Sequence, residues 1–359
     1  MKIALITDTH AGIRNDNPIF HDYSKKFYDD IFFPIVDTHG IKSVIHLGDI
    51  VDRRKYINFI TLNRLRNDFL EPLLGREMEV HLLAGNHDCT FKNTNEINAL
   101  RELVYGHYPF HIHDQYAEEV TFDELPILLM PWICDQNRKQ VFDRIKSTRA
   151  QIAMGHLELV GFQMNKTASV ATHGDNPSDF SKFDMVMSGH YHHRSTDGHI
   201  FYLGNHIEFD WSDYNDPKGF HIFDTDTREL KFIRNPYSMF VKLFYDDKDK
   251  TMQECVDDFM DFNHEYFKDA IVKVVIKNKE NPYWFDLFID KLEKSGIYEL
   301  QIVEDHLNLT LQEDQNIIDE AEDTLSVFKR FVDGADSSVD KEKLNRTIYE
   351  LYNEALSTE

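Results

Sequence analysis

Ten side chains in five short motifs have the types and spacing to do chemistry. In chain order the motifs read Asp8-Thr9-His10, Gly48-Asp49-Ile50-Val51-Asp52-Arg53, Gly85-Asn86-His87-Asp88, Gly155-His156 and Gly189-His190-Tyr191-His192. Taken singly, a Gly-Asp at a strand end reads as a helix cap, and a lone histidine there as a hydrogen-bonded structural residue. Five in order, each following its own apolar run, read as a ligand set. Carboxylate, imidazole and amide carbonyl are borderline-to-hard donors. They suit manganese first, with magnesium, iron or zinc as alternatives, and the chain offers no thiolate cluster of the structural-zinc kind. Asp8, His10, Asp49, Asn86, His156, His190 and His192 exceed the needs of one ion and divide between two if Asp49 bridges. Two ions on a shared carboxylate clamp a phosphoryl centre and activate water near neutral pH, so the chemistry expected is phosphoester hydrolysis.

The elements that must position these residues are short buried strands. Ile3–Ile6, Val44–Leu47, Val80–Leu83, Ile127–Met130, Ile152–Met154 and Met185–Met187 are apolar runs that stop at or just before a motif or a turn. Helical spacing separates them over Tyr23–Thr38 (closed by Gly40), Tyr56–Leu74, Asn95–Tyr105 and Val141–Thr148. Such alternation predicts an α/β fold with its ligands at the strand ends. Phe201–Leu203, Phe220–Phe223 and Leu230–Ile233 follow at short spacing and suggest an antiparallel run completing a second sheet. From 239 to 310 the pattern becomes β-α-β-α-β, enough for a small separate domain, and 311–359 reads as two amphipathic helices with acidic outer faces. The expected division is 1–238, 239–310 and 311–359.

Composition limits the function classes. The 359 residues exceed one ordinary core, and no apolar stretch approaches the roughly 20 residues of a membrane span. Three scattered cysteines give no disulfide framework, and the N-terminus runs straight into a strand with no export signal, so a cytoplasmic setting is expected. A net charge of −24 argues against a simple electrostatic nucleic-acid binder. The excess is uneven: residues 241–359 carry 29 acidic against 14 basic side chains.

The order and wording of the five motifs resemble the calcineurin-like metallophosphoesterase superfamily over residues 1–235. The resemblance implies a two-sheet α/β sandwich with the site at the strand ends. It assigns Asp8, His10, Asp49 and His192 to one metal, and Asp49, Asn86, His156 and His190 to the other. His87 would be the catalytic histidine that bonds the phosphate and protonates the leaving oxygen. Within the superfamily the whole chain looks like the SbcD-type nuclease subunits of double-strand-break repair and recombination complexes, and most of all the recombination nucleases of T-even phages. The first motif near Met1, Leu47-Gly48-Asp49, Ala84-Gly85-Asn86-His87-Asp88 and the paired histidines of Gly189-His190-Tyr191-His192 carry that likeness. It implies a DNA exonuclease on duplex and endonuclease on single strands, a homodimer built from the helices after the second and third motifs, a small domain capping the DNA groove, and C-terminal helices that bind a coiled-coil SMC-like ATPase of the SbcC type. A phosphatase or phosphodiesterase acting on small molecules or phosphoproteins, and a non-catalytic binding module on the same fold, are the competing classes.

One departure stands out. Cellular SbcD-type members often carry a second histidine where this chain has Asp52, and Asp-x-x-Asp-Arg is how the serine/threonine phosphatases read. Asp52 is therefore expected either to hydrogen-bond His87 and keep it protonated, with Arg53 gripping a phosphate oxygen, or to cap the following helix. The basic residues Arg53, Arg54, Lys55, Arg138, Lys139, Arg144, Lys146 and Arg149 either contact DNA phosphates or form solvated faces. The stripes Phe59/Leu62/Leu65/Phe69 and Ile97/Leu100/Leu103 read as core, which only the resemblance turns toward a dimer seam.

Overall fold

The structure, a computed structural model, describes residues 1–304 apart from 167, 169, 252–253 and 255–266. The pair of helices expected over 311–359 and most of the helix expected near 256–267 lie outside the described residues. Two six-stranded sheets stack face to face. The first has the order β12-β11-β1-β2-β3-β4, from β1 (Lys2–Ile6), β2 (Ser43–His46), β3 (Glu79–Leu83), β4 (His111–His113), β11 (Gly219–Asp224) and β12 (Leu230–Arg234). The second runs β5-β6-β7-β8-β10-β9, from β5 (Glu118–Phe122), β6 (Leu125–Met130), β7 (Ile152–His156), β8 (Met185–Gly189), β9 (Ser195–Thr196) and β10 (Ile200–Tyr202). Strands β1 to β4 are mutually parallel, as are β6, β7, β8 and β10.

Alternation along each strand sends one set of side chains between the sheets and the other outward. Ile3, Leu5, Ile45, Leu47 and Leu83 meet Ile127, Leu129, Ile152, Met154 and Met187 in the middle layer. Ala4, Ile6, Val44, Val80 and Leu82 point the other way, under two long helices. Helix α1 is continuous from Pro18–Phe27 through Tyr28–Phe32 to Phe33–Thr38, and α2 from Phe59–Arg64 through Leu65–Leu70 to Glu71–Gly75. Each has a wide π turn just ahead of a proline, Pro34 or Pro72, whose missing N–H and ring disturb the regular ladder. Helix α4 (Arg138–Ser147) covers the second sheet with Val141 and Ile145, while the short α3 (Ala99–Leu103) is capped by Asn98. Each large buried side chain contributes roughly 1.5–3 kcal/mol, a platform firm enough to carry strained loops.

The expected antiparallel run over Phe201–Ile233 does not form as one unit. Strand β10 pairs parallel with β8, whereas β11 crosses back to lie antiparallel against β1 in the first sheet. The apolar pattern marks the strands, but the long segment Leu203–Lys218 carries the chain from one sheet to the other, and spacing alone does not show that. Strands β4, β5 and β9 have no counterpart in the sequence pattern, because they are rich in His, Glu, Ser and Thr.

A third, parallel sheet follows, β13 (Phe240–Asp246), β14 (Ile271–Asn278) and β15 (Glu299–Glu304), with α5 (Pro282–Lys294) capped by Asn281. Its core of Val241, Tyr245, Val272, Val274, Phe285, Phe288 and Leu292 is its own. Its first strand is anchored to the larger body: Glu208 accepts the backbone N–H groups of Met239 (2.6 Å) and Phe240 (2.9 Å), and the Phe240 ring meets Trp211 edge-on. Among the described residues no helix is long and apolar enough to cross a membrane.

Candidate metal centre

All five motifs arrive at one end of the sandwich, past the carboxyl ends of β1, β2, β3, β7 and β8. Asp8, His10, Asp49 and His190 all have positive φ, at 51°, 42°, 55° and 87°. Non-glycine residues avoid that region, so four such residues in one place mark backbone held in a functional shape by its surroundings. The glycines of the motifs supply the close approach. A Cβ on Gly85 would sit 2.2 Å from Asp49 Oδ1, and one on Gly48, itself at φ 100°, 2.4 Å from His156 Nδ1.

Second contacts fix each side chain. Thr7 Oγ1 donates to Asp8 Oδ2 (2.6 Å), and the His190 N–H reaches both Asp8 oxygens at 3.1 Å. His156 Nδ1 donates to Leu47 O (2.7 Å), which aims Nε2 into the site, where it shares with Asp49 a proton that a cation would displace. That nitrogen lies 3.0 Å from Asn86 Oδ1 and 3.3 Å from Asp49 Oδ2, while His190 Nδ1 lies 2.9 Å from Asn86 Oδ1. On the other side His10 Nε2 is 3.6 Å from the same Asp49 Oδ2, 3.9 Å from Asp8 Oδ1 and 3.2 Å from His192 Nε2. The seven residues thus form two groups that share Asp49.

The donor set fits a pair of divalent ions. Asn86 Oδ1 is turned toward ring nitrogens and a carboxylate, atoms that accept, and turning the amide over would instead aim its NH2 at them. A positive ion satisfies acceptors that converge in this way. His190 Nε2 is buried with no partner, and the triads Asp8/His10/His192 and Asp49/His156/His190 each have ligand atoms within 4.8 Å of one another. Burial, followed by His156, holds His190 down to about 3; burial, followed by His10, holds His192 well below the imidazole range. Both rings therefore offer lone pairs at neutral pH. Burial also works against charge on His156 and Asp49, yet the pair overcomes it: Asp49 carries His156 up to about 9, and His156 holds Asp49 well below the carboxylate range.

His87 stands over this floor. Its N–H donates to Asp49 Oδ1 (2.7 Å), and its ring meets His10 edge-on at 4.8 Å. His87 Nδ1 donates to the backbone carbonyl of Asp52 at 2.6 Å, so Nε2 is the nitrogen left for a substrate. Here the expectation for Asp52 is corrected. Its carboxylate does not touch His87 but lies 3.3 Å from His10 Nδ1, behind a candidate ligand. Nor is Arg53 poised for a phosphate: its guanidinium pairs with Asp16 (2.7 Å) and Asn15 (2.9 Å) and stacks on Tyr56. The next residue is placed better. Arg54 lies beside Asn86, its Nη2 3.3 Å from the amide nitrogen and so without an acceptor there, and its Nη1 is buried with no partner.

Two further contributors escape a reading of the sequence. Asp88 accepts N–H groups from Asp49, Ile50, Val51 and Gly85 at 2.8–3.1 Å, tying the second motif to the third. Burial and then Asp49 push it up to about 7, against those N–H groups. Its place inside the third motif is the available signal. Phe209 packs edge-on against His10 and His192 from a loop with no motif, and nothing in the sequence marks it.

A family model described as calcineurin-like phosphoesterase matches residues 1–194. The chain is 29% identical over 368 residues to exonuclease subunit 1 of Enterobacteria phage T4, spanning 99% of each chain. It is 24% identical over 272 residues to the SbcD subunit of the SbcCD nuclease of Staphylococcus saprophyticus, covering 65% of this chain and 68% of that one. To the SbcD subunit of Staphylococcus epidermidis it is 26% identical over 256 residues, covering 64% and 67%.

Proposed function

Since the chain belongs to the calcineurin-like phosphoesterase family, we propose that it is a two-metal DNA nuclease, an exonuclease on duplex DNA and an endonuclease on single strands, acting in repair and recombination. The observation that carries the reading is the pair of ligand groups meeting at Asp49 Oδ2, which faces His10 on one side and His156 on the other. Asp8, His10, Asp49 and His192 would hold one ion, and Asp49, Asn86, His156 and His190 the other, with manganese proposed and magnesium, iron or zinc as the alternatives for this mixed donor set. When bound, two such ions polarise the phosphoryl group and generate a nucleophile from water. The chain's own residues do the rest. Arg54 takes a non-bridging phosphate oxygen, and His87 in its doubly protonated form, oriented through Nδ1, gives its Nε2 proton to the departing sugar oxygen and is left as the neutral ring.

The relatives' names support nuclease substrates and a partner. Each of the three is named a subunit of a nuclease. In this reading the small domain caps the DNA groove and the C-terminal segment binds a coiled-coil SMC-like ATPase. A homodimer fits the exposure of Tyr56 (65%) just ahead of α2 and of Phe59 (87%) and Ile60 (66%) at its start, where apolar side chains face solvent while Leu65, Phe69 and Leu73 fill the core. The protein would work in the cytoplasm of its host cell.

The deciding experiment is an assay of the purified full chain with manganese on linear duplex DNA, circular single-stranded DNA and an aryl phosphomonoester. Cleavage of both DNA forms, with little monoester turnover, is expected. Rapid monoester hydrolysis without DNA cleavage would favour a phosphatase, and activity on none of them a binding module.

A further inference from the structure

A second cluster of ligand-type side chains lies away from the strand-end site, where the edge strands of the two sheets approach each other. Glu79 and His81 are two apart on β3 and so share a face. In the parallel register His81 sits opposite His111 on the edge strand β4, and the two rings stack at 4.6 Å. One ligand atom from each of Glu79, His81 and His111 lies within 4.8 Å of the other two. None of these residues belongs to the motifs above. Roughly 16 Å of extended chain separates His81 from Asn86.

The hydrogen bonds around the cluster set its protonation. Glu118 on β5 accepts from His113 Nδ1 at 2.7 Å. His113 Nε2 is then the acceptor for His81 Nδ1 at 2.9 Å. With its proton committed to Nδ1, His81 turns a bare Nε2 toward Glu79 Oε1 at 3.5 Å. Ser43 Oγ donates to the other oxygen of Glu79 at 2.8 Å and orients the carboxylate. Two acceptors therefore face each other beside a third donor ring. A carboxylate–imidazole relay behind a ligand nitrogen is how proteins fix the tautomer of a metal-binding histidine. A tetrahedral zinc-type ion with bonds of about 2.1 Å holds its donors about 3.4 Å apart; His81 Nε2 and Glu79 Oε1 already lie 3.5 Å apart, with a ring nitrogen of the exposed His111 within 4.8 Å of both.

We propose that Glu79, His81 and His111 bind a divalent transition metal of the zinc class, separate from the strand-end centre, with a fourth position open to water. The ion would pin the short edge strand β4 to β3 and, through the His113–Glu118 relay, to the facing edge of the second sheet. His111 and Glu79 are exposed, so metal has access, while His81 is 2% exposed and forms the floor.

The test is zinc titration of the full-length, metal-stripped protein against a chromophoric chelator, together with thermal melts. Wild type should take up one zinc more per chain than His111→Ala, and zinc should raise the wild-type Tm by more than it raises the variant's. Because His111 lies at an exposed edge, the variant should keep its manganese-dependent phosphodiesterase activity. His111→Cys, which restores a zinc ligand, should recover the missing ion. Equal uptake by wild type and His111→Ala would overturn the proposal and leave the cluster as a proton-linked pair of imidazoles; failure of His111→Cys to recover the ion would overturn it equally.

Discussion

His87 and Asp52 are adjacent at the site, yet the geometry gives them different work, and leaving-group dependence separates the two. His87 is aimed by a backbone carbonyl, at 2.6 Å, that substituting Asp52 does not remove. Its Nε2 proton matters only when the departing oxygen is a poor leaving group, as the sugar oxygen of DNA is, and general-acid help is worth about 10²–10⁴-fold. His87→Gln should therefore lose about that much in kcat on DNA, keep its metal content, and lose less than about tenfold on a diester with an acidic phenol leaving group. Asp52 instead backs His10 Nδ1 at 3.3 Å. Removing a carboxylate behind a ligand imidazole costs about 10–100-fold in metal affinity, roughly 1.4–2.8 kcal/mol. Asp52→Asn should then need about 10–100-fold more manganese for half activity. At saturating metal its ratio of DNA to phenol-diester activity should match wild type. Manganese titrations on both substrates for both variants give the answer. A leaving-group bias in Asp52→Asn at saturating metal would refute the division of labour drawn here.

Asp49→Ala should cost more bound metal than any other ligand substitution, because its carboxylate faces both groups; two ions per chain retained after dialysis would contradict the bridging role. Arg54→Gln should lower kcat/KM on DNA about 10–100-fold, the value of a charge-assisted phosphate contact, whereas Arg53→Gln, already paired with Asp16, should stay within about threefold. The reverse ranking, measured in the same assay, would return the phosphate role to Arg53. The double variant Phe59→Ser/Ile60→Ser should sediment as a monomer at micromolar concentration while wild type runs at twice the chain mass; an unchanged dimer would place the seam elsewhere.

The parts of this molecule legible in its sequence are those where one residue type answers one physical demand. Glycine before Asp49 and after Ala84 is required by a backbone approach too close for a Cβ, and the strands beneath are plain apolar runs. The ligand residues follow directly from those runs. What the sequence hides depends on direction, which spacing does not encode. Asp52 could point at His87 or His10 from the same position, and the turn of its carbonyl decides the matter. Arg53 and Arg54 are equivalent in the sequence until Asp16 occupies the first. Strand β4 is hidden because His111 and His113 carry no apolar signal, although their alternation is that of a strand.

The acidic balance of the chain bears on how it holds DNA, and salt dependence measures that. Of the basic residues near the site or on α4, Arg53 pairs with Asp16, Arg138 with Asp175, Lys139 with Asp143 and Arg144 with Glu119. That leaves Arg54, Lys55, Lys146 and Arg149 as the members of the group with no ion pair among the described residues. If each neutralised one phosphate of duplex DNA, the slope of log K against log[salt] would be no steeper than about −4. A DNA-binding face that relied on those four cations alone would bind weakly by itself and depend on bound metal and on a partner for its grip. In calcium, which supports binding without efficient turnover in many manganese-type sites, filter binding of a short duplex across salt concentrations should give that shallow slope. A slope near about −8 would show that the paired arginines and lysines release their carboxylates on binding, so that the ion pairs of the free protein are a reserve of positive charge.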